Sequence, residues 1–61
     1  MLRYVTSAHE IALTKNDNGT YTLTVRDRQN QLNSTAQHVV LPYVEMIQVL
    51  GAFKSYIEEG N

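Results

Sequence analysis

The stretch Pro42-Tyr43-Val44-Glu45-Met46-Ile47-Gln48-Val49-Leu50-Gly51-Ala52-Phe53-Lys54-Ser55-Tyr56-Ile57-Glu58-Glu59 constrains this chain more than any other. Stepped at about 100° per residue, Tyr56, Val49, Phe53, Met46, Ile57, Leu50, Tyr43 and Ile47 gather on one half of a helical cylinder. Lys54 is the single charged residue among them, and its stem can lie on apolar surface while the ammonium reaches water. The other half carries Glu45, Gln48, Gly51, Ser55, Glu58 and Glu59, with Val44 and Ala52 between them. One core-facing stripe needs about 100° of arc, and this one covers about 180°. The pattern therefore predicts a helix over 42–59 with two apolar partners.

The helix ends are written into the sequence. Pro42 suits the first helical position, where its missing N–H is not needed, and it keeps Leu41 extended. Glu45 lies near the positive end of the dipole, whereas Glu58 and Glu59 lie at the disfavoured end. Gly60 is a natural left-handed cap. Gly51, inside the helix, costs roughly 1 kcal/mol relative to Ala.

Upstream, the apolar period changes from helical to two. Strands are predicted at about 2–6, 10–16, 20–28 and 37–41. Ser7-Ala8-His9 reads as a bend. Asn16-Asp17-Asn18-Gly19 reads as a hairpin turn, and register selects its form. A two-residue loop on Asn18-Gly19 would place Leu13 opposite Thr24 and Ile11 opposite Arg26, mixing the two faces. A three-residue loop, Asp17-Asn18-Gly19, places Leu13 opposite Leu23 and Ile11 opposite Val25. A one-residue slip turns every side chain over, so the second register is expected, with Gly19 left-handed. It also pairs Thr14 with Thr22 and Glu10 with Arg26 on the outer face. Residues 27–35, with Leu32 as their one apolar residue, read as a loop or as a hairpin connection into which the strand ends extend. Val39 and Leu41 then point to the core, and His38 and Val40 point outward.

This order predicts an α+β domain, a small antiparallel meander of three to four strands followed by one C-terminal helix packed on one face. A chain of 61 residues makes a single domain, 1–61, with a marginal core. Small scaffolds usually add disulfides, a metal or a partner chain. The chain has no Cys and only His9 and His38 as imidazoles, so disulfides and metal cages drop out. No metal and no cofactor are expected. Self-association is the remaining device, and it agrees with the over-wide helix. A homodimer is expected, with Val49, Phe53 and Tyr56 as the contact flank and the outward Val40 beside them. Met46, Leu50 and Ile57 are expected to face the sheet, with Tyr43 and Ile47 on the remaining flank.

Catalytic signatures are absent. There is no Cys nucleophile, no Gly-rich phosphate loop, and no Ser with His and acid at a recognised spacing, so an enzyme is not expected. His9 reads as a loop residue, and His38 could join Glu10 and Arg26 on a solvated outer face. No apolar run reaches membrane-span length, and the first residues lack a signal-peptide core. The lack of Cys fits a cytoplasmic location. The triplets Asn18-Gly19-Thr20 and Asn33-Ser34-Thr35 then read as turn composition and not as glycosylation sites.

Two binding functions remain. The first uses the apolar helix to hold protein, as a small accessory or inhibitor protein that dimerises, and it is the favoured expectation. The second uses the sheet to hold single-stranded nucleic acid, with Arg3, Lys15, Arg26 and Arg28 on or beside it and Tyr4 or Tyr21 as stacking planes. A formal net charge of −1 weighs against duplex DNA. The strand-strand-strand-strand-helix order, with Val39-Val40-Leu41 running straight into Pro42, resembles the dimeric single-strand-binding domain of the transcription coactivator positive cofactor four and its bacterial relatives. The resemblance covers most of the chain in element order and carries no residue motif. It implies a dimer that binds single strands. The dense basic and aromatic sheet face of such a binder is missing here, and Tyr21 shares the core face of Leu23 and Val25.

Overall fold

Four strands form one antiparallel sheet: β1 (Leu2–Val5), β2 (His9–Lys15), β3 (Thr20–Asp27) and β4 (Gln37–Pro42). They lie in the order β1-β2-β3-β4, and helix α1 (Tyr43–Glu58) follows β4 directly. The structure is a computed structural model and describes residues 1–29 and 36–60. The expectations placed on Leu32 and on Asn33-Ser34-Thr35 lie outside the described residues. The α+β meander with one C-terminal helix is as the periodicity predicted.

The β2–β3 hairpin takes the register that keeps apolar side chains together. Leu13 lies opposite Leu23, Ile11 opposite Val25, Thr14 opposite Thr22 and Glu10 opposite Arg26. Gly19 N–H donates to Asn16 O at 3.3 Å, and Asn16 N–H donates to Thr20 O at 2.8 Å. Gly19 has φ +84°, the left-handed residue of a three-residue loop. The Asn18 side chain accepts from Thr20 N–H, and the Asn16 amide bonds the Thr20 and Thr22 hydroxyls, so the turn is tied on both sides.

The β1–β2 connection is tighter. Thr6 N–H donates to His9 O at 2.8 Å, and the Thr6 hydroxyl accepts from the N–H groups of Ala8 and His9. No non-glycine residue among those described has positive φ, so this turn lacks the mirror-image geometry that suits a hairpin twist. The Thr6 side chain and Arg28 compensate. Arg28 Nη1 donates to Thr6 O, and Arg28 N–H donates to Ala8 O. His9 is consequently the first residue of β2, opposite Asp27, and not a loop residue.

Pro42 differs from expectation by one position. Its ψ of 158° keeps it extended, it lies opposite Thr20 as the last residue of β4, and it serves as the N-cap. Proline fixes φ but not ψ, and the strand ladder decides ψ here. At the other end Gly60 has φ +78° and its N–H donates to Ile57 O, the left-handed stop expected of it.

Sheet and helix enclose very little. Among the described residues only Ala12 and Met46 are buried hydrophobics, and they lie on opposite sides of the sheet. A compact 61-residue domain has a radius of gyration of about 10.5 Å, whereas this chain has 13.2 Å. A compact protein of 6.9 kDa exposes about 4,000 Å², whereas this one exposes 5079 Å². The molecule is flat, with extents of 36 × 35 × 16 Å.

Candidate functional site

The pleat sorts the sheet into two chemically distinct faces. The inner face, toward α1, carries Tyr4, Ile11, Leu13, Tyr21, Leu23, Val25, Val39 and Leu41. The outer face carries Arg3, Glu10, Thr14, Thr22, Thr24, Arg26 and His38, with Ala12 and Val40 among them. Ala12 is buried although it lies on the polar face, since its cross-strand neighbours Arg3 and Thr24 overhang a small side chain.

The helix covers only one end of the inner face. It starts at Pro42, opposite Thr20, and approaches β3 and β4 alone. Met46 is 3% exposed, Leu50 one turn later is 37% exposed, and Phe53 and Ile57 are 60% and 72% exposed. At 100° per residue all four point toward the same side of the helix. The loss of cover therefore follows position along the axis and not the angle around it. Leu50 is thus only partly seated, and Ile57 is not on the sheet at all, contrary to expectation. A helix of 16 residues is about 24 Å long, and its second half runs past the sheet.

Between helix and sheet lies an open groove of about 270 Å³ lined by Leu13, Tyr21, Tyr43, Met46, Ile47 and Leu50. Its walls offer the phenol hydroxyls of Tyr21 and Tyr43 as their side-chain polar groups, which suits an apolar guest. Beyond it, Ile11, Val25 and Val39 remain exposed on the inner face, as do Leu2 and Tyr4. The sequence pattern marked Ile11, Val25 and Val39 as inward-facing but assigned no face to Leu2 and Tyr4, and nothing in it showed that the helix stops short of them. Of the expected contact residues, Phe53, Tyr56 and Val40 are exposed, while Val49 is half-buried. Val40 stands on the outer face opposite Thr22, across the sheet from the helix, so these four residues do not form one surface.

Of the basic residues only Arg3 and Arg26 come together. Glu10 accepts from Arg3 Nε at 2.5 Å and lies 3.5 Å from Arg26 Nε, so one carboxylate serves two guanidinium groups. Arg28 is engaged with the backbone of Thr6. Lys15 lies on the inner face opposite Tyr21, on the other side of the sheet from Arg3 and Arg26. His38 bonds the Thr24 hydroxyl through Nδ1 at 3.0 Å instead of joining the Glu10 cluster. Among the described residues no cluster of His, Cys, Asp and Glu could hold a metal, and no helix is long and apolar enough to cross a membrane.

The chain matches no protein-family model, no curated protein and no solved structure. Its likeness to the positive cofactor four domain is therefore one of element order alone. The uncovered apolar surface is the feature on which a functional reading rests.

Proposed function

We propose that this chain is a non-enzymatic protein-binding module that works as a homodimer, an accessory or inhibitor protein whose contact surface is built on the apolar side of α1. One observation carries the reading. Phe53, Tyr56 and Ile57 on the helix, with Ile11, Val25 and Val39 on the sheet, are large apolar side chains left 40–72% exposed, and contiguous apolar surface in water marks contact sites. The total surface, polar and apolar together, exceeds that of a compact chain by about 1,000 Å², and each partner in a standard interface buries roughly 800 Å². The lack of Cys suits a reducing compartment such as the cytoplasm.

The single-strand reading is weaker on this geometry. Glu10 offsets one of the two charges of Arg3 and Arg26, and Lys15 lies on the opposite face. Sedimentation at several concentrations tests the dimer, and a chain still monomeric at high micromolar concentration overturns it. A pull-down from source-cell extract, run beside a single-stranded oligonucleotide control, tests the partner. Sub-micromolar, salt-sensitive retention on the oligonucleotide would replace the protein-binding reading with the nucleic-acid one.

A further inference from the structure

The uncovered halves of helix and sheet have matching chemistry. We infer that they are complements across two copies of this chain, the last turns of α1 in one copy seating on Ile11, Val25 and Val39 of the other, and reciprocally. This inference rests on the homodimer reading and adds to it which surfaces meet.

Three observations carry it. First, α1 cannot cover that strip in its own chain. It leaves the sheet at Pro42, opposite Thr20, whereas Val25 lies at the far end of β3, opposite Gln37. Second, Phe53 and Ile57 stand seven and eleven residues after Met46, so they continue the sheet-facing side of the helix into solvent. They present a sheet-binding face with no sheet beneath it.

Third, the strip has the anatomy of an interface. Its centre is apolar, while Lys15 stands at one end of the inner face and His9, Asp27 and Gln37 stand at the other. A two-fold arrangement uses each contact twice and closes without leaving a free copy of either surface. Contact between the two helices alone would bury Phe53 and leave Ile11, Val25 and Val39 wet.

Mixing isotope-labelled and unlabelled parent chains and recording filtered nuclear Overhauser contacts tests the arrangement without any substitution. Contacts between chains are expected from the Phe53 ring and Ile57 methyls to the methyls of Ile11, Val25 and Val39. A dimer whose inter-chain contacts join helix to helix, with none reaching the sheet, overturns this arrangement and leaves the homodimer standing. A chain monomeric by sedimentation overturns both. Engineered cysteines give a second readout, since the chain has no Cys of its own. Phe53→Cys mixed with Val25→Cys is expected to give a disulfide-linked hetero-pair under mild oxidation. Phe53→Cys pairing only with itself, in the same mixture, counts against the arrangement.

Discussion

The ring of Tyr43, the first residue of α1, lies 6.1 Å from the ring of Tyr21 on β3, tilted by 42°. This is one of the few places where helix and sheet touch, and it sits one residue after the strand ends. Together with Met46 it sets the direction in which α1 leaves the sheet. Removing the ring by Tyr43→Ala should cost about 1–2 kcal/mol, the aromatic pair plus part of its buried area. Chemical denaturation measures the loss. Hydrogen exchange should show the first turns of α1 opening faster while the β2–β3 ladder keeps its protection. A uniform loss of protection would show that the ring supports the whole sheet and not the helix joint.

The two internal glycines should respond in opposite directions. A Cβ at Gly19 or at Gly51 meets no atom within 4 Å, so neither response is steric crowding. Gly19 has φ +84°, and Gly19→Val should destabilise by roughly 1–2 kcal/mol through the backbone alone. Gly51 is helical, and Gly51→Ala should stabilise by up to about 1 kcal/mol. A Gly51→Ala protein whose self-association weakens would place another chain's backbone against that position.

The Arg3, Glu10 and Arg26 cluster is mostly exposed on its basic side, so solvent screens it and its contribution is small. Glu10→Gln should cost less than about 1 kcal/mol, and the difference from the parent should shrink in high salt. The same change releases two guanidinium groups on the outer face. Retention on single-stranded oligonucleotide should therefore rise relative to the parent, and it should fall again when Arg26 is also replaced by Ala. Unchanged retention would mean that the outer face does not meet phosphate even when its charge is freed.

Phe53→Asp is the direct test of the shared helix. Phe53 is well exposed within one chain, so a charge there should be nearly harmless to a monomer. In a dry contact between copies it should cost several kcal/mol of association. The parent should show a melting temperature that rises with protein concentration, and the variant should lose that dependence. A variant that dimerises like the parent would move the contact away from the last turns of α1.

Local alternation and turn chemistry determined the strands, the β2–β3 register and both helix ends to within a residue or two. Those features depend on interactions a few residues apart. Leu13 finds Leu23 because any other register would mix faces, and Gly19 turns because a left-handed position must be filled there. The half-cylinder of α1 pointed to a second partner through the width of its arc, whereas the exposure of Phe53 and Ile57 comes from where the helix axis runs.

What the sequence could not carry is the direction of the helix relative to the sheet. Helical periodicity assigns Met46, Phe53 and Ile57 to one face with equal weight, because an angle around an axis holds no information about where that axis goes. The extended ψ of Pro42 and the contact of Tyr43 with Tyr21 send α1 off one end of the sheet. Met46 is thereby buried while Ile57 and, at the far end of the inner face, Val25 are left in water. The basic residues were separated in the same way. Register in the sequence already set Arg26 opposite Glu10, but only the pairing of β1 with β2 brings Arg3 to the same carboxylate, with Lys15 left on the opposite face.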